Sequence, residues 1–303
     1  MASNAHEPKV DLQRRLATAI AIAVAASVLE VVGSWLSGSL ALLSDASHVG
    51  TDALALGLSL WALRLSSRAH TPRMSFGYHR LEVLAALANG ILLVAIAGYL
   101  GLQAYARYLS PPLIQAGIMF SVGLAGLVAN LAMLVLLKDW AKQNINARGA
   151  FLHAYGDTLG SVGVVVAAVL IQITGIQRFD MAIAAFIVFL ILFSAWRLLR
   201  DTVRIVLEAT PAGFKPAEIA KAIEAIPGVK GVHDLHVWTV TSGLYALTGH
   251  VVADASASVH DASHLVGRVQ AMLRERFGIA HATLQVDSLQ HEIIASSDVE
   301  KRP

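Results

Sequence analysis

Leu42-Leu43-Ser44-Asp45-Ala46-Ser47-His48-Val49-Gly50-Thr51-Asp52 sets polar and ionisable residues inside a long apolar segment, and Phe151-Leu152-His153-Ala154-Tyr155-Gly156-Asp157 echoes it. Both stretches carry His-x-x-x-Asp. A helix rises 1.5 Å per residue, so positions i and i+4 stack on one face about 6 Å apart along the axis. Each pair can therefore aim an imidazole and a carboxylate at one point. Two such helices side by side offer two nitrogens and two oxygens, from His48, Asp52, His153 and Asp157, the ligand number and types of a tetrahedral zinc site. An ionisable side chain at mid-membrane costs about 2.5–3.5 kcal/mol, so these four with Asp45 would cost on the order of 10 kcal/mol if they faced lipid. They must face a bundle interior or a wet cavity. The plainer reading is two His–Asp pairs that only hold helices together, but one polar residue usually suffices for that, and here the pair occurs twice.

The composition fits an intramembrane setting. Of 303 residues, 56% are hydrophobic and 15% charged, with mean hydropathy +0.61. Soluble domains carry about 25% charged residues, so this reads as a membrane protein with a soluble part. The net charge of +2 comes with no long basic run, so no nucleic-acid partner is expected. With no cysteine, disulfides and thiolate metal sites are excluded, and a metal site must use His, Asp and Glu. The first residues show no cationic start leading into a cleavable apolar core, so no signal peptide is read.

Six segments are long and apolar enough to span a bilayer: Leu16–Leu36, Leu40–Leu63, Leu81–Leu102, Leu113–Leu137, Ala150–Ile173 and Met181–Leu199. Arg64, Arg68, Arg73 and Arg80 follow the second, and Lys138, Lys142 and Arg148 the fourth. The other links hold little more than Arg107 and Arg178. By the positive-inside rule the basic links and both termini are cytoplasmic, with which Arg14, Arg15, Arg197, Arg200 and Arg204 agree. Glu30 in the first span and Asn130 in the fourth are polar residues that either glue helices or orient a ligand. Arg80 and Glu82, opening the third span, read as structural.

After Glu208 the composition becomes that of a soluble domain. Pro216–Ile226 has helical spacing, Val232–Val240 and Leu244–Val252 alternate as strands about Thr241-Ser242-Gly243, Asp261–Phe277 is an amphipathic helix closed by Gly278, and Ala282–Val286 is a third strand. The order αββαβ fits an open-faced α+β sandwich. The domain is rich in histidine. His233 and His250 on neighbouring strands, with Asp287 ending a third, could converge on a metal; the alternative is ordinary surface histidines. Strand alternation would put His233 and His236 on opposite faces. His264 and His281 are weaker candidates. The expected organisation is a cytoplasmic segment 1–15, a six-helix transmembrane domain 16–208, a soluble domain 209–291 and a disordered tail 292–303.

Six spans, His-x-x-x-Asp in the second and fifth, Ser75-Phe76-Gly77-Tyr78-His79-Arg80-Leu81-Glu82 and His233-Asp234-Leu235-His236-Val237-Trp238 together resemble the cation diffusion facilitators, over nearly the whole chain. The resemblance implies a zinc-exporting proton antiporter, a homodimer in the bilayer with a transport site in each protomer, and a cytoplasmic ferredoxin-like domain. By position it implies transport ligands His48, Asp52, His153 and Asp157; a cytoplasmic Zn2+ site at His233, His250 and Asp287, with His264 alongside; and a charge interlock of Arg80 with Glu208. A His in the second-helix pair is the family variant associated with zinc over cadmium. The chain also departs from some members. Met74 and Tyr78 stand where those carry loop histidines, Lys138 to Gly149 contains no His, and Gln285 replaces a histidine ligand.

Zinc binding requires neutral imidazole and ionised carboxylate, so metal and protons compete for the same groups and an exchange cycle by alternating access follows. Cadmium, cobalt and other divalent ions could compete. The compact loops suggest a bacterial inner membrane. The rivals are an intramembrane zinc hydrolase, for which the His-Glu-x-x-His pattern is missing, and a membrane zinc sensor without flux.

Overall fold

The computed structural model describes residues 7–66, 74, 77–138 and 145–288; of these, the side chains of 7–16, 56, 59–60, 62–66, 145–150 and 152–153 fall outside the description. The expected tail 292–303 lies outside the described residues. Two compact units emerge, one of residues 1–61 and 85–199, the other of residues 62–84 and 200–303.

Six long helices run α1 Glu7–Ser37, α2 Leu40–Ser66, α3 Arg80–Leu109, α4 Ala116–Leu137, α5 Ile145–Thr174 and α6 Arg178–Val206. Five of them contain stretches long and apolar enough to cross a membrane: Ala17–Ser37, Arg80–Leu109, Ala116–Leu137, Ala154–Thr174 and Arg178–Val206. The sixth expected span is α2. Its 27 residues reach about 40 Å, ample for a bilayer. Ser44, Asp45, Ser47, His48, Thr51 and Asp52 dilute its apolar character.

In the first unit, α4 packs along α1 and α5. Gly123 lets α4 approach α5, since a Cβ there would stand 2.8 Å from Val164 Cγ1. Leu40, Leu42, Leu100, Met119, Ile187 and Ile191 are fully buried. Outside, Trp35, Leu102, Leu113, Phe189 and Trp196 are exposed, whereas Glu30, Asp45, His48, Asn130, Asp157 and Ser161 are buried. Apolar outside with polar residues inside is the pattern that lipid as solvent selects.

The α1–α2 corner is tightly specified. Gly38 takes φ +75° and its N–H donates to Ser34 O at 2.8 Å, ending α1 as left-handed glycines commonly do. Arg107 Nη1 donates to Gly38 O at 2.7 Å. The first turn of α2 is capped from α6. Asp180, fully buried, accepts from Ser39 Oγ at 2.5 Å, Leu40 N at 2.7 Å and Ala41 N at 3.2 Å.

The second unit contains α7 Pro216–Glu224, β1 Gly231–Thr241, β2 Leu244–Ala253, α8 Val259–Phe277 and β3 His281–Ser288, the expected αββαβ order. The sheet runs β1-β2-β3, antiparallel between the first two and parallel between the last two. Ile219 and Ile223 of α7 and Leu265, Val269 and Leu273 of α8 form one core with Val237, Leu247 and Val251. Ser258 and Asp261 make a reciprocal capping box at the start of α8, and Gly278 at φ +68° ends it. In the first turn of α3, Glu82 accepts hydrogen bonds from Thr241 Oγ1 and, at 2.6 Å, from Ser242 Oγ. These bonds anchor the β1–β2 turn and give Glu82 the structural part expected of it.

One expectation fails in β1. His233 pairs with His250 and His236 with Thr248, so Asp234 and Leu235 together oppose the single residue Gly249. This β-bulge, with Asp234 at φ +50°, shifts the alternation by one and puts His233 and His236 on the same face.

Candidate metal centres

The first centre is built on α2 and α5. His48 Nδ1 lies 3.4 Å from Asp52 Oδ2, and His48 Nε2 lies 3.6 Å from Asp157 Oδ1. One donor atom from each of the three falls within 4.8 Å of the others. Donors held 2.0–2.1 Å from a tetrahedral zinc stand about 3.3 Å apart, so small adjustments would close this group on an ion. His48 and Asp157 are 8% and 4% exposed, which rules out a solvated surface cluster. His153 lies in α5 four residues before Asp157, and its side chain is outside the described residues.

A hydrogen-bonded chain lies one helical turn away. Asn130 Nδ2 of α4 donates to Ser161 Oγ of α5 at 2.9 Å, and Ser161 Oγ donates to Asp45 Oδ2 of α2 at 2.7 Å. Asn130 and Asp45 were legible as buried polar residues. Ser161 was not, because a serine in an apolar helix ordinarily bonds its own backbone. Asp180 was also missed: an acidic residue in the first turn of α6 reads as serving its own helix, and no local signal links it to α2.

The second centre lies in the sheet domain. His250 Nδ1 is 2.7 Å from Asp287 Oδ2, and His233 Nε2 is 3.5 Å from the same oxygen. The two imidazole centroids are 4.8 Å apart. The bulge is what sets His233 in register with His250. Gln285, where a histidine ligand was missing, donates to Asp287 Oδ1 at 2.8 Å and so orients the carboxylate. Burial alone would raise the Asp287 carboxyl. Hydrogen bonds from Gln285 and His250, with the charges of His250 and His233, outweigh it and hold the group below its ordinary value. His264 and His281 are not part of this group: His264 packs edge-on to His260 on α8, at 4.5 Å between centroids, and His281 opens β3.

Arg80 Nη2 meets Glu208 Oε1 at 2.5 Å. Both side chains are more than half exposed, so the pair's contribution to stability is about 0–1 kcal/mol.

Two family models cover almost the whole chain: the cation efflux transmembrane domain over residues 16–207 and the cation efflux protein cytoplasmic domain over residues 211–289. The metal cation efflux system protein CzcD of Cupriavidus metallidurans is 39% identical over 94% of this chain and 90% of its own length. The zinc transporter ZitB of Escherichia coli is 39% identical over 94% and 90%. The cadmium, cobalt and zinc/H(+)-K(+) antiporter of Bacillus subtilis is 35% identical over 87% and 85%. With two His–Asp clusters whose geometry could hold a metal ion and a bundle of apolar exterior, these matches place the chain in the cation efflux family, the cation diffusion facilitators: it is a multi-pass membrane protein that exports divalent metal cations, and not an enzyme.

Proposed function

We propose that the protein exports Zn2+ from the cytoplasm in exchange for protons, by alternating access at a site made by His48, Asp52, His153 and Asp157. The observation that carries this reading is the burial of His48 and Asp157 beside Asp52 inside a bundle whose exterior is apolar. Two nitrogens and two oxygens suit zinc, with Cd2+ and Co2+ as competing ions. Two of the relatives are named for zinc and one for exchange against H+ and K+. Facing the cytoplasm, the groups release protons and take zinc; facing outward, at lower pH, protons displace the metal and return with the site. The working unit is a homodimer in a bacterial inner membrane, with both termini cytoplasmic. His233, His250 and Asp287 hold Zn2+ in the cytoplasmic domain, where filling biases the exchange, and Arg80 with Glu208 ties the start of α3 to the end of α6.

The test is zinc flux in sealed vesicles reconstituted with purified protein under an imposed pH gradient, with Asp157→Asn and Asp52→Asn alongside. Gradient-dependent flux in the wild type, lost in both variants, is the expected result. Zinc binding without flux in the wild type would refute the carrier and leave a membrane sensor. Normal flux in either variant would strike that residue from the ligands. Unchanged zinc dependence of transport in His250→Ala would refute the regulatory part.

A further inference from the structure

Glu30, Asp45 and Asn130, each 1% exposed, and Ser161, fully buried, bring oxygen atoms from α1, α2, α4 and α5 into the bundle beside the metal site. Asp45 precedes His48 by three residues and Ser161 follows Asp157 by four, so both stand one helical turn from those ligands. Glu30 is close enough to Asp45 and Asp157 to feel their charges. The Asn130–Ser161–Asp45 chain fixes two of the four side chains, yet Glu30 Oε2, Asp45 Oδ1 and Asn130 Oδ1 find no hydrogen-bond partner among the described residues. No lysine or arginine is buried among those residues either. Two carboxyl groups and an amide oxygen buried in this way have no lysine or arginine beside them, and His48 is the one base that acts on Asp45 among the described residues.

The backbone makes room for them. A Cβ on Gly126 of α4 would lie 2.0 Å from Glu30 Oε1, and one on Gly160 of α5 would lie 2.7 Å from Asp45 Oδ1. Glycines in two helices thus form a cradle that any larger residue would fill.

We infer that Glu30, Asp45, Asn130 and Ser161 form a second cation site in the bundle, one that holds a hard cation, a proton or an alkali ion, and gives it up when metal binds next to it. The donor set is all oxygen, without imidazole or sulfur, so it suits a hard cation and discriminates against zinc. Asp45 belongs to the same helix as His48 and Asp52, so a positive charge arriving at those ligands repels one held at the oxygen site. The titratable groups acting on Glu30 are Asp45 from α2 and Asp157 from α5, and those acting on Asp45 include Asp157 and His48; Asn130 from α4 and Ser161 from α5 join the site through the hydrogen-bonded chain to Asp45. Glu30 itself supplies no ligand to the metal. The site is the counter-ion's place, separate from the cargo's.

The inference rests on His48, Asp52 and Asp157 binding zinc, and one experiment separates the two. Zinc is titrated calorimetrically into purified full-length wild type, Glu30→Gln and Gly126→Ala, in buffers of different ionisation heat, which counts protons released per zinc. The titrations are repeated in choline, sodium and potassium chloride. Proton release from ligands of either metal centre is common to all three proteins and cancels in the comparison. If the site holds a proton, both variants release about one proton fewer per zinc than the wild type, with zinc affinity changed less than about threefold. If it holds an alkali ion, proton counts match, but sodium or potassium weakens zinc binding several-fold in the wild type and in neither variant. Equal proton counts with no alkali effect, zinc binding being normal, would overturn this inference alone. No zinc binding to the membrane site in the wild type would overturn it together with the transport reading.

Discussion

Replacing Asp180 with alanine tests whether α2, which carries His48 and Asp52, is held in place from α6. The Asp180 carboxylate accepts from Ser39 Oγ, Leu40 N and Ala41 N, and Leu40 and Ala41 are themselves fully buried. Alanine leaves those donors where water cannot reach them, at about 1–3 kcal/mol for each buried donor without a partner. Ser39 can turn its hydroxyl elsewhere, so two backbone N–H groups dominate and the loss is about 2–6 kcal/mol. Asp180→Asn keeps one carbonyl oxygen for Ser39 and Ala41 but turns an amide NH2 toward Leu40 N, donor against donor, so it falls between wild type and alanine. Ser39→Ala removes the hydroxyl that accepts from Leu42 N at 3.1 Å, an N-cap worth about 1 kcal/mol. The assay is thermal unfolding of the purified protein in detergent, where the alanine variant should melt on the order of 10 °C lower. The order should be wild type, Ser39→Ala, Asp180→Asn, Asp180→Ala. An Asp180→Ala protein that melts with the wild type would show that Asp180 does not support α2.

Gly123→Ala forces a methyl group to within 2.8 Å of Val164 Cγ1 and should destabilise the bundle by about 1–3 kcal/mol; adding Val164→Ala should recover part of the loss in the same unfolding assay. The soluble domain should lose stability as pH falls below about 4. Asp287 has a folded-state value below its unfolded one, so its contribution is present above the unfolded value and disappears as pH drops through the folded one. Asp287→Asn should flatten this part of a stability-against-pH profile measured by chemical denaturation. Arg80→Ala should change stability by less than about 1 kcal/mol, because the Arg80–Glu208 pair is exposed; a loss of several kcal/mol would mean that the pair is buried in the functional assembly.

That His48, Asp52 and Asp157 would gather inside the bundle was legible because a helix converts spacing into direction. The four-residue step from His48 to Asp52 fixes them on one face whatever surrounds the helix, and the cost of burying them in lipid turns them inward. The domain order was legible for a similar reason: Pro227-Gly228, Thr241-Ser242-Gly243 and Gly278 stop elements locally. What stayed hidden depends on partners distant in the chain. Ser161 reaches Asp45 across 116 positions, and Asp180 reaches Ser39 across 141. Neither serine nor aspartate changes character locally to announce it.

The β1 bulge shows the limit of periodicity most sharply. Alternation assigns His233 and His236 to opposite faces only if each residue of β1 meets one residue of β2. Asp234 breaks that count by taking φ +50°, a conformation aspartate tolerates better than most residues. Opposite it stands Gly249, where a Cβ would come within 2.8 Å of Leu235 Cδ1, so the partner strand is cut away where the extra residue crowds it. Leu235, the second bulge residue, and Val237 beyond it join the helix-covered core along with Val232. Upstream, His233 stays aligned with His250, and its imidazole meets Asp287. With one-to-one pairing along this same sequence, alternation would turn Leu235 and Val237 to the same face as His233. The bulge lets one strand present His233 beside His250 and Asp287 on one face and still bury its leucine and valine on the other, so this cluster and the core depend on the same irregularity.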